Sequence, residues 1–323
     1  MTTTPRTYRD QQTWRDLQEF LPERLRLTEP EQEPTEERWR WRGHEVHLDR
    51  YRNPDAAVRV LLHHGVGTNG RQMSLILGAP LARAGYDVVA VDNLGYGLTD
   101  VAEGATPTYD DWVQLVLDLL AEEDDGRPVV LYGLSAGGML TYHVAAAAPK
   151  GSIAGIVGMT FLDQRVQSVF DATAHDIVTS RVGGPAMKLL GPTPLGKIPY
   201  PMSLAGKMSA LVNDKDAMRL LAKDRTSAGN WVSLRFLADY ITYVPAVEPA
   251  DFDACPVLLT QPAEDRWTPY EVSTPVLDQI TKVPVSVEHL EGAGHLPLEE
   301  PGLAQMEAAV IAFVEQVTGD AKA

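Results

Sequence analysis

The run Gly133-Leu134-Ser135-Ala136-Gly137 sets a serine between two glycines, with one residue on either side. A serine so spaced can act as a nucleophile if a strand leads into it and a helix leads away. Both flanks read that way. Val129–Tyr132 is a short apolar run rich in β-branched residues, the pattern of a buried strand. Ala136–Ala148 is an alanine-rich helix pattern. A sharp turn between them would expose Ser135 in a strained conformation. The helix N-terminus would then face a developing negative charge. The competing reading is that Ser135 merely caps the helix, as serines often do.

A serine hydroxyl is a poor nucleophile until a base takes its proton. Among the eight histidines, His295 stands out, in Glu291-Gly292-Ala293-Gly294-His295-Leu296-Pro297. It lies between the last strand candidate, Val285–His289, and the last helix candidate, Gly302–Val317. The glycines allow a loop that turns the imidazole back over a sheet. The alternative is a histidine on a surface loop. The imidazole in turn needs a carboxylate to fix its tautomer and stabilise its charged form. Asp265 follows the strand candidate Val257–Thr260, with Glu264 beside it, and Asp163 follows the candidate Ile153–Met159. The order Ser135, Asp265, His295 is that of a nucleophile-elbow hydrolase. Backbone N–H donors must stabilise the oxyanion. The expected pair is Ala136, directly after the serine, and Val66 in His63-His64-Gly65-Val66-Gly67.

Two competing chemistries fare poorly. Adjacent histidines such as His63 and His64 rarely converge on one ion, and no Cys/His/carboxylate cluster has ligand spacing. Asp92-Asn93-Leu94-Gly95-Tyr96-Gly97 is glycine-rich, but it matches neither a dinucleotide fingerprint nor a Walker sequence and reads as a tight turn. Neither a metal nor a cofactor is expected.

The elements that must position these residues follow from the patterning. Trp39–Trp41, Glu45–Tyr51, Ala57–Leu62 and Asp87–Val91 read as further strands. Arg71–Ala84, Tyr109–Glu123 and Tyr270–Thr281 read as further helices. Strands alternating with helices imply an α/β fold with a mostly parallel sheet. The alternation lapses after Met159 and resumes at Val257, so the expected organisation has three parts. Residues 1–36 form an N-terminal extension, in which Tyr8, Trp14, Leu17, Phe20 and Leu21 share one face of a short helix and Glu29–Glu37 is a connector. Residues 37–162 and 251–323 form the core. Residues 163–250 form a mostly helical insertion above the carboxyl ends of the strands, where such sheets hold their ligands.

Composition narrows the partners. The chain has 323 residues and a formal net charge of -16, which argues against nucleic-acid binding. Arg38, Arg40 and Arg42 alternate with Trp39 and Trp41, as on a strand with one solvated face. No apolar run nears the roughly 20 residues that span a bilayer, so stable membrane insertion is not expected. Met1 to Asp10 is polar and reads as no secretion signal. The single cysteine, Cys255, precedes an apolar run and reads as a core residue. These features fit a cytoplasmic protein.

The motifs together resemble the α/β-hydrolase family. They are Leu61-Leu62-His63-His64-Gly65, the Asp92–Gly97 turn, the serine pentapeptide, the Asp265 loop and Gly292-Ala293-Gly294-His295, in family order across residues 57 to 300. One departure is Pro262, where similar proteins often have glycine. The resemblance implies a serine esterase or lipase with a small-molecule ester substrate, and a lid formed by 163–250. Met187, Leu189, Leu190, Leu195, Met202, Leu204, Met208, Leu211 and Met218 would suit a lipophilic ester or simply pack the lid. The same triad could instead cleave a carbon–carbon bond or an amide, or perform cofactor-free perhydrolysis. A non-catalytic ligand-binding protein on the same fold is the other alternative. The sequence carries no signal for an oligomeric state.

Overall fold

The computed structural model describes residues 7–319. Residues 1–6, which hold much of the polar start read as no secretion signal, and residues 320–323 lie outside the described residues.

The strands in chain order are β1 (Thr35–Trp41), β2 (His44–Tyr51), β3 (Arg59–His63), β4 (Asp87–Val91), β5 (Val129–Gly133), β6 (Gly155–Gly158), β7 (Pro199–Pro201), β8 (Trp231–Ser233), β9 (Val257–Pro262) and β10 (Val285–Leu290). Eight of them form one sheet in the order β1-β2-β4-β3-β5-β6-β9-β10. From β4 to β10 the pairs are parallel, while β1 and β2 add an antiparallel edge. The α/β fold class and its mostly parallel sheet are as expected. Val130, Leu131 and Tyr132 of β5 are completely buried, which is why the central strands read as unbroken apolar runs. Cys255 is buried beside β9, where burial pushes its thiol up to about 12.

Three local expectations change. Thr35–Glu37, expected in a connector, already pair with Arg50–Leu48 in β1. Glu36 and Glu37 tolerate the sheet because His47, Arg50 and Arg52 take up their carboxylates. The expected helix Tyr270–Thr281 shrinks to short turns at Tyr270–Val272 and Thr274–Leu277. Pro275 removes a backbone donor there, and the Ser273 hydroxyl accepts from the Phe161 N–H. The run after Asn69 is helical from Gly70 to Arg83 but passes through a wide π-type turn at Ser74–Gly78. Pro80 lacks the N–H that a regular turn there would use. Arg38, Arg40 and Arg42 are not an anion site: each faces an acid of this chain, Asp100, Glu45 and Asp118 respectively.

The residues before β1 pack into the core. Tyr8, Trp14, Leu17, Leu21 and Leu25 are buried, and Gln11 donates to Thr226 in the segment between β6 and β9. That segment holds short helices, among them Gln167–Thr173, Gly184–Leu190, Lys215–Lys223 and Leu234–Tyr240, and the antiparallel pair β7–β8.

A buried ionic hub ties extension, edge strands and sheet together. Tyr8 Oη donates to Asp92 at 2.9 Å, at the mouth of β4. Asp92 also accepts from the Gly70 and Leu98 N–H groups. His47 lies 2.8 Å from Glu36 and 3.1 Å from Asp92. Arg71 forms a paired contact with Asp49 at 2.6 and 3.0 Å. Ligand-type atoms of Glu36, His47 and Asp49 lie within 4.8 Å of one another, as in a cation site. The Arg71 guanidinium, 3.4 Å from Glu36, already supplies that positive charge.

Burial alone would lower the His47 pKa, but hydrogen bonds to Asp92 and Glu36 and the charges of Asp92 and Asp49 push it up to about 9. Glu36 is raised by burial, yet its bonds from His47 and the Tyr8 N–H, with the Arg71 charge, bring it down to about 2. Unfolded histidine titrates near ~6.5 and glutamate near ~4.3. The His47 contribution to stability is therefore complete below about pH 6.5 and lost as pH rises toward 9. That of Glu36 is complete above about pH 4.3 and lost as pH falls toward 2. Thermal melts should show a midpoint that declines between pH 6.5 and 9. His47→Gln should remove that decline and cost about 3–5 kcal/mol at pH 6, as when one partner of a buried pair is lost.

Candidate active site

Ser135 sits between β5 and the helix Ala136–Ala147, at φ 56° and ψ -124°. Positive φ in a residue with a Cβ is strained. The only other non-glycine case among the described residues is Arg42, in the turn after β1. The Ser135 side chain makes no capping bond to its helix, so the simple N-cap reading does not describe it. The turn survives because its neighbours approach very closely. A Cβ on Gly137 would come within 2.7 Å of the His64 carbonyl oxygen. A Cβ on Gly65 would come within 2.7 Å of Ser135 Cβ and 3.3 Å of the Ala136 nitrogen. The loop after β3 is thus pressed against the serine turn.

His64 holds that loop. Its Nε2 accepts from the Asn93 N–H at 3.0 Å, so Nδ1 carries the proton and donates to the Gly65 carbonyl at 2.8 Å. Burial lowers its pKa and keeps the ring neutral. With both nitrogens engaged, His64 offers no atom to a metal. His63 is completely buried, and burial brings its pKa down to about 3. Its backbone carbonyl accepts from the Leu134 N–H at 3.1 Å, joining the two loops. The Val66 N–H donates to no described protein group. Ala136 opens its helix, where an N–H has no intrahelical acceptor.

The loops after β9 and β10 bring an acid and a histidine together. His295 Nδ1 lies 2.8 Å from Asp265 Oδ2. Asp265 Oδ1 accepts from the Trp267 and Thr268 N–H groups, each at 2.8 Å. Thr268 Oγ1 donates to Asp265 Oδ2 at 2.7 Å and lies 3.0 Å from His295 Nδ1. Burial raises the Asp265 pKa, but the nearby His295 charge and these hydrogen bonds outweigh it and hold the carboxyl below the usual range. Of the other two acids, Asp163 binds Arg165 at 2.8 Å and Glu264 is exposed. Neither reaches His295. Pro262 ends β9 without disturbing the acid loop, and the Ala263 N–H pairs with the Leu290 carbonyl.

His295 Nε2 is buried and has no hydrogen-bond partner. The bond from Ser135 Oγ is therefore not closed in this structure, a common state for unliganded sites. Ser135 opens onto a cavity of about 550 Å³ of atom-free space, including its mouth. Ser135, Val66, Phe170, Met187, Met202 and Trp267 are among its walls. The Trp267 ring lies 4.8 Å from that of His295. The Trp267 indole N–H donates to the Thr173 carbonyl at 2.9 Å, and the Leu296 N–H to the Leu211 carbonyl at 2.7 Å. Both bonds link the histidine and acid loops to the inserted segment. Trp267 and Thr268 were not singled out by sequence. The spacing of Asp265 and Thr268 is that of an Asx-type turn, a signal available in principle.

Comparison with known proteins agrees with the fold. Residues 60–308 match the model of the Alpha/beta hydrolase family. Lipase LipV of Mycobacterium tuberculosis is 35% identical over 135 residues, which cover 40% of this chain and 48% of that protein. The match thus spans about half the length of this curated relative. A soluble variant of monoglyceride lipase from Saccharomyces cerevisiae superposes with a TM-score of 0.70 at 18% identity, over 88% of this chain and 96% of that one. Monoacylglycerol lipase from Paleococcus ferrophilus does so with a TM-score of 0.64 at 18% identity, over 84% and 99%. At these identities the structural likeness is one of fold.

The Asp265–His295 contact has a direct spectroscopic readout. The Nδ1 proton of His295 should give a strongly downfield NMR resonance in wild type and Asp163→Asn. In Asp265→Asn it should disappear or move upfield. Retention in Asp265→Asn would place the acid elsewhere.

Proposed function

Because the chain belongs to the alpha/beta hydrolase family, we propose that it hydrolyses carboxylic esters through a covalent acyl-serine intermediate. The observation that carries this reading is Ser135 itself, held at positive φ on a strand-to-helix turn and opening into an apolar cavity. Ser135 Oγ attacks the ester carbonyl carbon while His295 Nε2 takes its proton. The negative oxygen of the tetrahedral intermediate accepts from the Val66 and Ala136 N–H groups. His295 returns the proton to the departing alcohol. Water then attacks the acyl-enzyme with the same base, releasing the acid and restoring the serine. Asp265, kept ionised, fixes the proton on Nδ1 and stabilises the transient imidazolium. Each oxyanion donor is worth about 10²–10³ in turnover.

Residues 163–250 act as a lid over a core made of 37–162 and 251–323, with 1–36 as an N-terminal extension whose described residues pack against both. Phe170, Met187 and Met202 come from that lid. They favour a lipophilic acyl group, in keeping with the lipases and esterases among the similar proteins. Substrate binding is the event that closes the Ser135–His295 hydrogen bond.

Turnover of a short p-nitrophenyl ester tests the assignment. Ser135→Ala should abolish it. Asp265→Asn should lower kcat about 10⁴-fold, the loss expected when the imidazole holds the wrong tautomer. Asp163→Asn should stay within a few-fold of wild type. A larger loss in Asp163→Asn than in Asp265→Asn would overturn the acid assignment, and undiminished activity in Ser135→Ala would overturn the mechanism.

A further inference from the structure

Large hydrophobic side chains meet solvent in one stretch of this chain. Every strongly exposed one among the described residues lies between 177 and 244. Val178, Val182 and Leu189 are 63%, 66% and 75% exposed. They share one helical run, 177–190, with Pro185 between them. Their spacing of four, three and four residues, counting Pro185, puts all four on one face. Ser180, Gly184 and Met187 point the other way and are buried. A surface helix normally turns only its polar side outward, whereas this one exposes aliphatic side chains beside Arg181 and Lys188. Leu195, Ile198 and Leu204, in the turns that follow, are exposed as well.

The same stretch inverts the charge of the molecule. Between residues 174 and 210 the only acid is Asp176, against Arg181, Lys188, Lys197 and Lys207, in a chain of formal net charge -16. Arg181 is held by Asp171. Lys188 and Lys197 are exposed and form no ion pair with a described residue. Thr179 and Met187 of the helical run line the Ser135 cavity. The cavity wall and the apolar face are therefore two sides of one element.

We propose that this face docks peripherally on an anionic phospholipid bilayer. Exposed aliphatic groups flanked by lysines are what such an interface takes up, by burial of apolar area and by attraction to acidic headgroups. The strongly acidic remainder of the chain is repelled from the same membrane, which orients the molecule with this face toward the lipid. A second copy of the chain fits less well, because its matching face would bring lysines against lysines. No helix among the described residues is long and apolar enough to cross a membrane, so the contact is adsorption. Delivery of an ester from the bilayer to Ser135 rests on the proposed hydrolase reading, but the docking surface does not.

Co-sedimentation of the full chain with vesicles tests this. At low salt the protein should bind vesicles of phosphatidylglycerol and phosphatidylcholine, bind phosphatidylcholine alone much less, and release as salt is raised. Lys188→Gln and Lys197→Gln should each weaken binding about fivefold, the effect of one basic residue near an anionic surface. Combined Val178→Ser, Val182→Ser and Leu189→Ser should weaken it by about tenfold or more. Turnover of a short water-soluble ester should be unchanged in all these variants, which checks folding and the hydrolase reading separately. Undiminished binding by the triple variant, or binding indifferent to phosphatidylglycerol, would overturn the proposal. So would a concentration-dependent dimer that the triple variant abolishes, with no vesicle binding by wild type.

Discussion

Ser135 must be held in a backbone conformation that its own side chain disfavours, at a cost of about 1–3 kcal/mol. That strain persists only while the surroundings leave the chain no relaxed alternative. Gly137 lies against the His63 and His64 carbonyls, and Gly138 against the Thr160 carbonyl. The loops after β3 and β6 thus enclose the serine turn on two sides. The loop that confines Ser135 is also the one that carries Val66 to the cavity wall. In the proposed mechanism, nucleophile and oxyanion donors are thus consequences of one packing arrangement.

Further structure keeps that arrangement in place. Asp92, at the end of β4, receives bonds from Tyr8, Gly70 and Leu98. Asn93, its neighbour, donates to His64. The ionic hub around His47 and Arg71 is therefore continuous with the group that fixes the loop after β3. On the other side, the hydrogen bonds of Trp267 and Leu296 tie the acid and histidine loops to the inserted segment. In the proposed mechanism, the position of that segment bears directly on the imidazole that must reach Ser135.

Much of this was legible in the residues, for identifiable reasons. Ser135, Asp265 and His295 each follow a strand pattern, and their order narrows the alternatives to one architecture. The parallel sheet shows in β-branched runs because its strands are buried on both faces. Thr35–Glu37 were obscured because their acids pair with residues in and just after β2 and not with near neighbours. The ionic hub was equally hidden: Tyr8 and Asp92 are 84 residues apart, and nothing local to either reports the other. The insertion was legible as apolar and helical, but not by face. Met187 and Leu189 are two residues apart, and one lines the cavity while the other is exposed. Only the packing of the helix decides between them.

Covalent capture of Ser135 tests the central claim most directly. A fluorophosphonate probe reacts with a serine whose hydroxyl is activated by a base and whose oxyanion is stabilised. Peptide mapping by mass spectrometry should find the adduct on Ser135 in wild type and no labelling in Ser135→Ala. His295→Gln should be labelled far more slowly. Folded wild-type protein that remains unlabelled, or an adduct on another residue that persists in Ser135→Ala, would contradict the account.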